Sequence, residues 1–160
     1  MRNSPNSVCL LVFVLLLGGC AASNNSAPQQ TSTPDKNEIL AAEAVVEQIE
    51  RARIAHNWTE VNAHLASVAY TPAQRNAAPS MPFMEMSQKL GELNRYELLL
   101  SVGGPDYRDR RTGQSYPRVT VNIREHYGQP TTPPVGMEFA MLKEDGQWKL
   151  AGVAGYRSNR

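Results

Sequence analysis

Lys143-Glu144-Asp145-Gly146-Gln147-Trp148-Lys149-Leu150-Ala151-Gly152 turns the chain back on itself. Asp-Gly tolerates the positive φ angles that a two-residue hairpin turn requires. The flanks alternate with a period of two. Met137, Phe139 and Met141 share one face of the strand that approaches the turn. Trp148, Leu150, Ala154 and Tyr156 share one face of the strand that leaves it, and Gly152 and Gly155 permit a bulge or sharp bend there.

The same period runs backwards through the chain. Gly128 to Pro134 reads as a loop. Before it, Val119, Val121, Ile123 and Tyr127 alternate with Arg118, Thr120, Asn122 and Arg124, which predicts a long strand with one apolar face. Pro117 at its start suits a position near a sheet edge. Tyr96, Leu98, Leu100 and Val102 alternate with Arg95, Glu97, Leu99 and Ser101 in an earlier strand, which Gly103-Gly104-Pro105 is expected to end. Tyr107 to Gln114 then forms a polar tip carrying Arg108, Asp109, Arg110 and Arg111.

Upstream of Gly91 the period is helical. Thr33-Pro34, or a capping box at Asp35 and Glu38, starts a helix that runs to about Ala55. Ile39, Ala42, Val45, Val46, Ile49 and Ala52 form its apolar stripe, with Glu47, Glu50, Arg51 and Arg53 expected on the other side. Asn57 and Glu60 look like a second capping box, opening a stripe of Trp58, Val61, Leu65 and Val68. Asn57-Trp58-Thr59 also fits a glycosylation sequon, but capping explains it better. Thr71-Pro72 begins a short turn of helix. Ser80 or Pro82 opens a third helix, with Phe83, Met86 and Leu90 inward and Gly91 at its end. Helices first and four antiparallel strands after them predict an α+β domain over residues 35–156, with the helices on one face of the sheet. Residues 157–160 form a tail.

Two resemblances follow. The long helix, the Asn-Trp-Thr-Glu helix start, the helix ending at Leu90-Gly91 and the closing hairpin at Lys143–Gly152 together resemble the cystatin-like, nuclear transport factor 2-like superfamily. That resemblance implies a curved sheet wrapped round the long helix to form a cone, which binds ligands in some relatives, serves dimerisation in others and is filled by side chains in many. Near the start of the chain, Arg2, the apolar run Val8–Leu17 and the box Leu17-Gly18-Gly19-Cys20 resemble a bacterial lipoprotein signal. The run is too short for a comfortable membrane span. The resemblance implies a signal peptide over residues 1–19, cleavage between Gly19 and Cys20, lipid (palmitate-type acyl chains) on Cys20, and anchoring to the outer membrane, since Ala21 is not the Asp of inner-membrane retention. Residues 20–34 read as a disordered tether that lifts the domain only about 20 Å from the bilayer on the random-coil scale.

Cleavage would remove Arg2 and leave 15 acidic residues balanced by as many basic ones, which argues against a nucleic-acid partner. It would also leave the domain without a free thiol, since Cys9 goes with the signal and Cys20 takes lipid. His56, His64 and His126 lack metal-ligand spacing, and no nucleophile triad, phosphate loop or cofactor motif is present, so no catalytic residue, metal or cofactor is assigned. Two candidate sites remain. Arg108, Arg110 and Arg111 would contact an envelope partner. Tyr96, Glu125 and Tyr127 would line the cone, because Glu125 has the parity of Val119, Val121 and Ile123. The alternative for Glu125 is an ion pair with an arginine where the strand leaves the core.

The expected function is thus a lipid-anchored, non-enzymatic accessory or assembly factor on the periplasmic side of the outer membrane. The alternative is a small-molecule binder or isomerase-type enzyme, and homodimerisation through the open sheet face is a further option. An open cavity around Glu125 would favour the small-molecule reading; an interior plugged by Trp148, Phe139 and Met141 would favour the accessory one.

Overall fold

A computed structural model describes residues 33–128 and 131–156. The expected signal peptide, Gly19, Cys20, most of the tether and the tail 157–160 lie outside the described residues. Among the described residues four helices and a 3-10 turn precede four strands. They are α1 (Lys36–Ile54), α2 (Trp58–Ala63), α3 (Pro72–Arg75), a 3-10 turn (Met81–Phe83) and α4 (Met84–Leu90), then β1 (Leu93–Arg108), β2 (Ser115–Tyr127), β3 (Val135–Glu144) and β4 (Gln147–Tyr156). The strands pair antiparallel in the order β1-β2-β3-β4, an open meander with β1 and β4 at its edges. The architecture is α+β. Among the described residues no helix is long and apolar enough to cross a membrane.

Helix α1 begins where Asp35 accepts a hydrogen bond from the Glu38 backbone N–H at 2.9 Å, satisfying one of the donors a helix start leaves open. It ends in a Schellman turn: the N–H of Asn57 reaches Ala52 O at 2.8 Å, that of His56 reaches Arg53 O at 3.1 Å, and His56 takes φ 54°. Ala42, Val46 and Ile49 of α1 meet Val119, Val121 and Ile123 of β2 and Met137, Phe139 and Met141 of β3, all fully buried. Each of the larger side chains contributes about 1.5–3 kcal/mol by leaving water. Phe83 packs on Phe139 with ring centroids 5.8 Å apart. Glu38 ties α1 to the last hairpin, accepting from Lys143 Nζ at 2.7 Å and Trp148 Nε1 at 3.1 Å. The turn at Asp145 (φ 51°) and Gly146 (φ 78°) has the two positive φ angles expected of it.

Several local expectations are corrected. Gly103-Gly104-Pro105 does not end β1, which continues to Arg108. A register shift between Gly104 and Tyr107 absorbs the proline, as bulges on edge strands do. Gly103 also allows Thr33 and Pro34 to lie against the strand, since a Cβ there would sit 3.1 Å from Pro34 Cδ. A second shift between Leu98 and Ser101 reverses the strand's parity. Leu100 and Val102 therefore do not share the inner face with Tyr96 and Leu98. A bulge opposite Ala140 and Met141 does the same in β4, so Val153 packs against the core while Ala154 is exposed. Helix α2 stops at Ala63, and Leu65 is not on its stripe. The segment instead pairs with β4: the Leu150 N–H donates to His64 O at 2.7 Å and the Ala66 N–H to Leu150 O at 2.9 Å.

Candidate functional site

Glu50 and Arg53, expected on the polar side of α1, are buried, with 0% and 4% exposure. Their positions continue the stripe of Ala42, Val46 and Ile49 by further helical steps, so the fold points them at the sheet whatever their charge. Glu125 is fully buried in β2, with the inward parity read from the sequence, and Tyr127 lies two residues on, on the same face. The four side chains form one network. Arg53 Nη1 donates to Glu50 Oε1 and to Glu125 Oε1, each at 2.6 Å. Arg53 Nη2 donates to Tyr127 Oη at 3.0 Å, and the Tyr127 hydroxyl donates to Glu125 Oε2. The guanidinium stacks on Phe83, 3.9 Å from the ring centroid.

One guanidinium faces two carboxylates, so charge is not balanced unless a proton is held. Burial raises the Glu50 pKa to about 8, with Arg53 pulling it down and Glu125 pushing it up. Glu50 Oε2 is buried without a hydrogen-bond partner. Burial disfavours the Arg53 cation, but Glu50 and Glu125 outweigh it and raise its pKa. Burial, then neighbouring Glu125, raises the Tyr127 hydroxyl against the opposing pull of Arg53. Glu125 is thus both inward-pointing and paired with an arginine, where the sequence offered these as alternatives. The pairing occurs inside the core, not where the strand leaves it. With Arg53 and Tyr127 both bonded to it, Glu125 is not placed as a free general base.

A pocket of about 210 Å3 opens onto this network. It is lined by the buried Arg53 and Tyr127, by the half-buried Trp58, Ser87 and Leu93, and by His56 and Glu92. The last two are largely exposed and stand 3.8 Å apart. Two larger concavities, of about 420 Å3 beside Asn62 and Arg75 and about 350 Å3 between Met86, Leu90 and Val153, border none of the four network residues. Neither they nor the smaller pocket is lined by Glu125. Phe139 and Met141 are fully buried and Trp148 is 5% exposed, so these side chains fill the interior.

The structure does not unite the three residues expected to line a cavity. Tyr96 stands opposite Glu125 in the sheet register, yet its hydroxyl is directed to Glu47 O at 3.5 Å. Burial raises its pKa. Arg108, Arg110 and Arg111 are exposed at the β1–β2 tip, as expected. Asp109 among them is buried: its carboxylate accepts from the Arg111 N–H and from Thr112 Oγ1, both at 2.8 Å. Those bonds hold its pKa below the usual range. His126 is on the outer sheet face but half-buried, 3.2 Å from Glu97, which also takes Arg95 at 2.7 Å and Arg124 at 3.3 Å. His64 caps the end of α2, and burial lowers its pKa. Among the described residues no group of His, Cys, Asp and Glu is arranged to hold a metal.

No protein-family model matches the chain, and no curated protein matches it either.

Proposed function

We propose that this chain is a lipid-anchored envelope protein without catalysis of its own, which binds a protein partner along the free edge of β1. One observation supports this most. β1 has a sheet neighbour on one side only, and it exposes Leu99 by 42%, Leu100 by 74%, Val102 by 44% and Tyr107 by 41%. Such an edge invites pairing with another chain and is normally blunted by charge or covered. Here the apolar row leads into Arg108, Arg110 and Arg111. The buried Asp109 carboxylate is committed to its own loop, so the arginines favour a partner that presents acidic groups. Lipid on Cys20 and a short tether would keep this edge near the outer membrane, on its periplasmic side. The filled interior and the engagement of Glu125 by Arg53 and Tyr127 support a binding role over an isomerase-type reaction. The helices on one sheet face are consistent with a cystatin-like, nuclear transport factor 2-like domain.

The test is in-cell photo-crosslinking of the anchored chain from positions 100 and 110, with Cys20→Ala as the control. The expected result is one envelope protein captured from both positions, dependent on the anchor and lost when Arg110 and Arg111 become Glu. Capture of nothing, or only of a second copy of the chain, refutes the reading. A second reading, a small-molecule binder, is favoured by the pocket that reaches Arg53 and Tyr127.

A further inference from the structure

Arg118 is half-buried in β2, yet it makes no hydrogen bond and no ion pair with any described residue. Its neighbour Val119 is fully buried in the core, so Arg118 projects from the outer face of the sheet, away from the helices. Gly104 of β1 is its cross-strand partner. A Cβ on Gly104 would sit 2.9 Å from Arg118 Nη2 and 3.0 Å from Nε, so the guanidinium lies directly on the glycine backbone. Its Nε is buried without an acceptor. Nη1 and Nη2 lack an acceptor too, but they are not enclosed, and they form the open end of the group.

The surrounding residues supply no anion. Arg118 pairs with Gly104 on one side and Leu142 on the other, and the next outward row is Val102, Thr120 and Ala140. Lys149, opposite Leu142, donates to Ala63 O at 2.8 Å. Glu144 accepts from the Ser67 N–H at 2.8 Å and from Ser67 Oγ. Asp106, in the bulge beyond Gly104, has Oδ1 buried and makes no ion pair with Arg118. Glu138 lies opposite Asn122, further along the face. The arginines of the β1–β2 tip differ in kind. The Arg111 side chain is 84% exposed and stands 4.0 Å from Asp109, and a side chain that free loses rotamer entropy when it binds. Arg118 is already held in place.

We propose that Arg118 anchors the protein partner of β1, by seating an Asp or Glu side chain of that partner on its two open Nη groups. A guanidinium offers these two donors in a fixed fork that matches a carboxylate. Val102, 44% exposed, stands on the same outer face at the row beside Gly104 and joins Arg118 to the apolar edge of β1. The partner therefore presents an acidic side chain flanked by apolar ones, and it reaches from the β1 edge onto the outer sheet face. This deepens the partner reading of β1 and rests on it.

The test is in-cell photo-crosslinking of the full chain from position 102, with capture from position 100 as the reference. Both positions should capture the same envelope protein, and the crosslinked partner peptide should carry an Asp or Glu close to the attachment point. The affinity of that captured protein for the purified full chain, in detergent, is then measured. Arg118→Gln should weaken it by about thirtyfold or more, the scale of an interface hot spot. Arg118→Lys should not restore it, because a point charge lacks the fork. Gly104→Ala keeps the charge but displaces the guanidinium from its seat, and should weaken binding severalfold. Its clash is with the end of a flexible side chain, so the unfolding midpoint should stay near that of the wild type. Changing the partner's acid to its amide should cost as much as Arg118→Gln, and the two together little more than either. Wild-type affinity in Arg118→Gln or in Gly104→Ala, or additive losses in the double change, overturns the anchor and leaves the partner edge standing. Capture of no envelope protein from position 100 refutes the edge, and the anchor with it.

Discussion

Replacing Arg53 by Met removes the only cation of the buried network while keeping most of the side-chain volume. Glu50 and Glu125 then lose the Nη1 donor they share at 2.6 Å, and Tyr127 loses the donor 3.0 Å from its oxygen. Both carboxylates stay at 0% exposure. Breaking a buried ion pair by removing one partner costs about 3–5 kcal/mol, because the remaining charge is uncompensated. That is a large share of the roughly 5–15 kcal/mol of net stability of an ordinary domain. In urea unfolding followed by tryptophan fluorescence, the midpoint should fall by about 2 M for a typical slope. The loss should be greater at high pH, where Glu50 gives up its proton, and smaller at lower pH, where it holds it. Adding Glu125→Gln to Arg53→Met should recover part of it, since one buried charge is gone. A loss under about 1 kcal/mol at alkaline pH, or no dependence on pH, would show that the network does not carry the charge balance argued here.

Glu50→Gln tests the held proton. An ordinary glutamate titrates near 4.5 and Glu50 near 8 in the fold, raised chiefly by burial. Between those values the folded chain binds more protons than the unfolded one, so this group's contribution to stability falls as pH rises from about 4.5 to about 8, by at most about 1.4 kcal/mol per pH unit. The variant's profile should be flatter than the wild-type profile across that window; parallel profiles would contradict the assignment. Phe139→Ala, at a fully buried site packed on Phe83, should cost about 3–5 kcal/mol in the same unfolding assay. A cost near zero would mean the interior is not filled as described.

Much of this was legible in the residues. Asp35, Asn57 and Thr71 start their helices because each side chain accepts from a backbone N–H three residues on, a local bond that needs nothing distant. Asp145-Gly146 makes its turn for an equally local reason. The inward parity of Glu125 followed from the period of β2, which runs without a bulge between Val119 and Glu125. In β1 and β4 the inward faces depart from simple alternation where bulges break the period; Gly152 marks the bulge in β4, but which side chains it turns inward depends on the pairing with β3.

Glu50 and Arg53 show the limit most clearly. Their spacing from Ala42, Val46 and Ile49 belongs to the inner face of α1, while their charge argues for water. The cost of burying an ionised group depends on what waits for it, and Arg53 meets Glu125 and Tyr127 from a strand more than seventy residues later. The sequence by itself determined the order of elements, the α+β class, the caps, the last turn and the exposed arginine tip, since these rest on local bonds and on periodicity. Only the tertiary structure decided that the interior is filled, that two carboxylates share one guanidinium and that a pocket opens on them. Desolvation and ion pairing are set by distances between residues far apart in the chain, and no window along the sequence contains both partners.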